Sequence, residues 1–239
     1  ENKTNIEELK KQIKKLAELN KKFKTDFKLS DTRLSFYCLN KGEEVFEILN
    51  SFTFPKLENL DLRYNQIKNI SKLTETNLDK LQILNLAENE LDNITPLSKC
   101  KLDKLIELLL FKNKICSIDI LAECIFNNLK ILDLSNNLIT DLNKVKELQN
   151  IQKLIFLTLR GNKICLIRGY RQFIIELCPL LTHLDAAEVS EKELDIIHFK
   201  GSRFGEKRLN GHGKVIKYPN PFKYLDNNNN MIKNNNKNK

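Results

Sequence analysis

Residues 81–91 read LQILNLAENEL, that is Leu81-x-x-Leu84-x-Leu86-x-x-Asn89-x-Leu91. The same phrase occurs at Leu57, Leu60, Leu62, Asn65 and Ile67, and at Leu105, Leu108, Leu110, Asn113 and Ile115. It returns at Leu129, Leu132, Leu134, Asn137 and Ile139, and at Leu154, Leu157, Leu159, Asn162 and Ile164. The asparagines are 24, 24, 24 and 25 residues apart. Five copies in one register predict stacked coils rather than a globular core, because no single copy can bury its own apolar face.

Each position has a physical role. Leu-x-Leu alternates with period two, so it predicts a short strand with both leucines inward. Stacking sets the strands side by side in a parallel sheet. The asparagine stands where the chain leaves the strand, and its amide can both donate to and accept from backbone groups inside the turn. Asn65, Asn89, Asn113, Asn137 and Asn162 are expected to form a ladder, each worth roughly 1–3 kcal/mol. Ile70, Ile94, Ile118, Leu142 and Ile167 follow the last apolar position by three residues and are expected to point inward, about 1.5–3 kcal/mol for each buried side chain. The intervening stretches read as helical or 3₁₀ turns on the convex side, with Pro96 suited to a first turn.

A stack of coils needs caps. At the C-terminal end, Phe173, Ile174 and Leu177 have helical spacing, Pro179 ends the helix, and Leu181-x-x-Leu184-Asp185 begins a last strand. With Tyr170-Arg171 before them and Val189 and Glu193 after, these residues resemble the cap of a class of short leucine-rich-repeat proteins. That class contains the leucine-rich regulatory subunit of protein phosphatase 1, the spliceosomal A-prime protein and several axonemal proteins. The resemblance covers residues 57 to about 195. It implies an α/β solenoid with a parallel concave sheet and helical N-terminal and C-terminal caps. Two departures stand out. One residue is inserted in Leu177-Cys178-Pro179, and Asn162-Lys163 replaces an Asn-Pro step, so the loop after the fifth copy is expected to take its own path.

Three regions follow: an amphipathic N-terminal helix over 1–30, a repeat domain with its cap over 31–199, and a basic Gly/Asn-rich tail over 200–239. Thr4-Asn5-Ile6-Glu7 reads as a capping box. Ile6, Leu9, Ile13, Leu16, Phe23 and Phe27 then recur at helical spacing, interrupted at Asn20. The helix reads either as a cap on the first coil or as a docking helix. Residues 31–50 hold a degenerate coil around Leu34-Ser35-Phe36. The tail carries four of the seven glycines and an apolar island from Val215 to Leu225, which reads either as a docking peptide or as a segment that folds back.

The net charge is +9, of which +8 lies in 200–239 and +4 in 1–30, leaving −3 for the middle. Basic ends suit an acidic surface such as a microtubule, while an acidic body makes nucleic acid an unlikely ligand. The six cysteines lack zinc spacing and read as reduced thiols. No apolar run is long enough to span a membrane and no secretory layout is present, so the expectation is a cytoplasmic protein, with a cilium or axoneme as its finer location. The opening Glu1 is what an internal piece of a longer polypeptide would show. His183, His198 and His212 are far apart, and no catalytic relay, phosphate loop, metal site or cofactor motif is present, so no enzymatic activity is expected.

The outward residues of the strands line the concave side. One column reads Asn59, Ile83, Glu107, Ile131, Phe156, His183. The next reads Asp61, Asn85, Leu109, Asp133, Thr158, Asp185, and the third Arg63, Ala87, Phe111, Ser135, Arg160. Ile83, Leu109, Phe111, Ile131 and Phe156 form an apolar patch rimmed by Arg63, Asp133 and Arg160, the pattern of a partner-binding site. Phe111 and Phe156 are the expected anchors. The functional expectation is a non-catalytic interaction scaffold in a ciliary or other cytoskeletal assembly. The class resemblance also implies a phosphatase regulatory subunit, and the basic tail favours a nuclear ribonucleoprotein component as a third role.

Overall fold

The structure, a computed structural model, describes residues 2–194. The basic tail with its apolar island, and His198 and His212, lie outside the described residues. Eight strands run in chain order through one sheet: β1 (Arg33–Ser35), β2 (Asn59–Asp61), β3 (Ile83–Asn85), β4 (Glu107–Leu109), β5 (Ile131–Asp133), β6 (Phe156–Thr158), β7 (His183–Leu184) and β8 (Ala187–Glu188). Pairings from β1 to β7 are parallel and in strict register, so that Leu34, Leu60, Leu84, Leu108, Leu132, Leu157 and Leu184 form one row. Every one of them is at most 2% exposed. Only β8 turns back, antiparallel to β7, and so ends the parallel array. The degenerate coil at Leu34 is therefore a true coil, with Phe36 fully buried.

The coils close on the convex side through 3₁₀ turns at Ser71–Glu75, Thr95–Lys99, Asp119–Ala122 and Leu142–Asn150. Pro96 sits in the first turn of its 3₁₀ segment, where its missing N–H costs nothing. Leu73, Leu97, Leu121 and Val145 project inward from these turns. Ile70, Ile94 and Ile118 are buried as expected, but Leu142 and Ile167 are only partly so. In the 25-residue fourth coil the turn begins at Leu142 itself, and Val145 and Leu148 occupy the interior instead. After the fifth copy the chain enters a 3₁₀ turn at once, Lys163–Leu166, and Ile167 is left at the margin. The loop after Asn162 thus differs from those that follow the earlier ladder asparagines.

The ladder is present. Asn89 Oδ1 accepts from Asn65 N and Ile67 N, both at 3.0 Å, and its Nδ2 donates to Leu62 O and Leu86 O. Asn113, Asn137 and Asn162 repeat the arrangement by accepting from Leu91, Ile115 and Ile139. Asn65 ends the ladder, and its Oδ1 has no partner.

Helix α1 (Asn2–Phe23) begins before Thr4, which places Thr4 inside the helix rather than at its cap; no breaker precedes it. It also runs through Asn20 without interruption. Asn20 instead holds the turn that follows, donating to Phe27 O and accepting from Thr25 Oγ1 and Phe27 N. The second half of α1 serves the core: Leu16 and Phe23 are buried, and Phe27, just after it, packs on Phe36 with ring centroids 4.7 Å apart, while Ile13 is 53% exposed. Helix α2 (Phe46–Ser51) buries Phe46, Ile48 and Leu49 behind the first coil, and at the other end α3 (Tyr170–Leu177) buries Ile174 and Ile175 over the last coils.

Candidate binding surface

Strand register sets the inner face. Ile83, Glu107, Ile131, Phe156 and His183 are Cα partners in one row across β3–β7, and Asn85, Leu109, Asp133 and Thr158 form the next. The predicted apolar residues are therefore neighbours. They are not equally available. Ile83, Phe111 and Ile131 are half-buried, but Leu109 and Phe156 are only 6% and 9% exposed. Phe156 stacks on His183 with centroids 4.7 Å apart, which covers much of the ring. Phe111 is the more accessible of the two expected anchors.

The polar rim is partly occupied by its own contacts. Arg63 holds Asp61 through two parallel hydrogen bonds, Nε–Oδ1 at 2.9 Å and Nη2–Oδ2 at 2.7 Å, a neutralised fork. This bond to Asp61 raises the Arg63 guanidinium above its ordinary range. Asp133 accepts from Ser135 N at 2.9 Å and Ser135 Oγ at 2.6 Å. Arg160 is exposed and has no ion pair among the described residues. Asp185 belongs to the column by sequence but not by position. It turns at φ 55°, accepts from Leu159 N at 2.7 Å and takes the Tyr170 hydroxyl at 2.8 Å. Burial, then the Asp185 charge, push the Tyr170 phenol up. The Tyr-Arg…Leu-Asp phrase is a clamp on the last coil, since Arg171 also donates to Leu184 O, Glu188 O and the Glu193 carboxylate.

Two features lie outside the predicted apolar patch and its rim. Tyr37 and Tyr64 are 38% and 37% exposed, meet edge to face at 5.4 Å, and flank Arg63, which lies 5.1 Å from the Tyr37 ring. The Glu88 carboxylate beside it pushes the Tyr64 hydroxyl up to about 12. The signal for this pair was weak, because Tyr37 belongs to the degenerate coil. The second is Glu107, a charged residue in the apolar row whose carboxylate has no hydrogen bond or ion pair among the described residues. Burial raises its carboxyl above the usual range. No group of three or more His, Cys, Asp or Glu side chains gathers to hold a metal among the described residues. Among them, too, no helix is long and apolar enough to cross a membrane.

An open sheet of in-register parallel strands, closed behind by short turns and braced by an asparagine ladder, defines a leucine-rich-repeat solenoid. A profile of the leucine-rich repeat family matches residues 43–208, well over half the chain, and the chain belongs to that family. No curated protein sequence matches it. Among solved structures it is similar to the Drosophila melanogaster SNF/U2A' complex, at 25% identity over 61% of this chain and 82% of that one, with a TM-score of 0.47. It is similar to internalin C2 of Listeria monocytogenes at 26% identity, over 55% of this chain and 51% of that one, TM-score 0.42. A leucine-rich-repeat protein of Leptospira interrogans matches at 27% identity, over 65% of this chain and 36% of that one, TM-score 0.44.

Proposed function

We propose that this protein is a non-catalytic scaffold that holds a partner protein on its concave face. Ile83, Leu109, Phe111, Ile131 and Phe156 form the contact, with Arg160 and the Asp133 carboxylate at its rim. The observation that carries the reading is the register: Ile83, Ile131 and Phe156 fall in one row on β3, β5 and β6, with Leu109 of β4 in the next row. A rigid, preformed apolar strip binds without paying for its own ordering. Phe111→Ala is the informative variant, because Phe111 is half-buried and lies outside the packed core. Affinity purification with crosslinking should lose at least one partner with Phe111→Ala while the circular dichroism spectrum is unchanged. Identical partner sets from both proteins would sink the concave-face reading.

The finer placement is a ciliary or cytoskeletal assembly. It is supported by the class resemblance to axonemal proteins and by the charge of the two ends, +4 over 1–30 and +8 over 200–239, which complements an acidic lattice such as a microtubule. Co-sedimentation with microtubules that weakens as salt rises is the expected result. Direct binding to a phosphatase catalytic subunit, or nucleic-acid affinity falling steeply with salt, would replace this placement by one of the other two roles.

A further inference from the structure

The charge pattern inside the concave strip says more about its occupant than the strip's apolarity does. Strands β3–β5 and the residues just past them present Ile83, Asn85 and Ala87, then Glu107, Leu109 and Phe111, then Ile131, Asp133 and Ser135 to the inner face. Glu107 and Asp133 are the charged residues of this set, and no cation on these strands answers them. Glu107 lies between Ile83 and Ile131 in its row, and Asp133 stands on the next strand, two residues along. Diagonal neighbours in a sheet are about 7–8 Å apart, within reach of one ammonium or guanidinium group placed between them. Asp133 spends Oδ1 on Ser135, and Glu107 spends neither oxygen.

We infer that the occupant of the concave face is an apolar segment of a partner protein that carries one basic side chain, Lys or Arg, seated between Glu107 and Asp133. The inference rests on the concave-docking reading above and names its chemistry. A desolvated carboxylate without a partner is a cost to the free protein, and a cation arriving on an apolar surface removes that cost. Burial raises both carboxyls above their ordinary range, and for Asp133 the two Ser135 bonds oppose this while the Asp185 charge adds to it. A bare metal ion is a poor alternative, since Ile83, Leu109 and Ile131 supply none of the further oxygens a hard cation requires. Of the two rim arginines, Arg63 is bound to Asp61 and Arg160 stands past β6, and among the described residues no ion pair reaches Glu107 or Asp133.

The test is selection of a random peptide library displayed on phage against the full chain, followed by affinity measurements on synthetic peptides. Binders that depend on Phe111 are expected to carry apolar residues around a single Lys or Arg. Replacing that residue by Gln should weaken binding about tenfold or more to the unaltered protein. The same replacement should change affinity less than about twofold on Glu107→Gln and Asp133→Asn proteins. Because the key change is made in the peptide, the test survives a variant that fails to fold. Peptides that need Phe111 but are indifferent to the Arg→Gln change would overturn the inference and leave the docking face standing. An absence of any Phe111-dependent binder would overturn both. So would a crosslink from position 109 to residues 215–225 of the same chain, or a dimer broken by Glu107→Lys, since each assigns the face to another occupant.

Discussion

The residue before each ladder asparagine turns through left-handed backbone: Tyr64, Glu88, Lys112 and Asn136 have φ between 51° and 57°, and Gly161 has φ 80°. Side chains pay for this conformation, about 1–2 kcal/mol each, and the repeat bears that cost in order to aim the asparagine inward. Only at Gly161 does the space matter as well, because a Cβ there would stand 2.2 Å from Asn136 Oδ1 and 3.2 Å from its Cα. Gly161→Ala is therefore expected to destabilise the protein by at least about 1–2 kcal/mol, measured by denaturant unfolding, and a neutral result would contradict the turn. The ladder itself makes a comparative prediction. Asn89→Ala strands the Asn65 and Ile67 N–H groups, whereas Asn65 Oδ1 accepts nothing. Asn89→Ala should cost more than Asn65→Ala by roughly 1–3 kcal/mol, the penalty of buried unpaired donors. Equal losses would mean that the two rungs are alike.

At the scale of elements, the C-terminal cap depends on a charge pair that acid can break. The Arg171 guanidinium holds the Glu193 carboxyl down to about 2, with the Ser190 N–H and hydroxyl adding to the effect. A carboxyl depressed on folding contributes stability above its ordinary range near 4.5, and that contribution is lost as the pH falls toward about 2. The pair is partly exposed, so salt should weaken it. Relative to the intrinsic rate at each pH, amide exchange in α3, β7 and β8 should therefore speed up between pH 5 and 2 more than exchange in β3 and β4, and Glu193→Gln should remove the difference. Acceleration of all strands together, unaltered in Glu193→Gln, would deny the clamp its role. The elements differ in how far the amino-acid order reveals them. Strands and ladder are legible because period two and a 24-residue interval are written directly in Leu and Asn. Leu142 and Ile167 are misplaced by the same counting, because a 25-residue coil and an early turn at Lys163 shift which residue faces inward. The helix start is misplaced because Thr4-Glu7 matches a cap that nothing forces the chain to use. For the binding face, the rows are legible from the register alone. The availability of Phe156 and the true direction of Asp185 are not, since one depends on His183 beside it and the other on Tyr170, fifteen residues away in sequence.

At the scale of the molecule, the described residues form one continuous stack, and the net charge conceals a division. Although the middle is −3 overall, Lys56, Lys80, Lys104, Lys130 and Lys153 recur along the edge where strands begin, and all are exposed. On the opposite edge, acids and lysines of adjacent coils pair, as Glu88 with Lys112 and Glu90 with Lys114. Such exposed pairs add little; cohesion comes from the interior, which runs unbroken from Leu16 to Val189. A repeat array with strong interfaces between neighbours unfolds as one unit, whereas a weak interface lets one end outlast the other. Tyrosines report on both ends, Tyr37 and Tyr64 on the first coils and Tyr170 on the last, and the chain has no tryptophan. With fluorine-labelled tyrosine, the native resonances at the two ends should vanish at one denaturant concentration. Leu108 lies fully buried at the centre, and Leu108→Ala should cost about 2–5 kcal/mol while moving both ends together. If Tyr170 instead kept its native signal after Tyr64 had lost its own, the stack would consist of two units joined at β4. The binding strip, which spans β3 to β6, would then be assembled across a seam rather than held rigid.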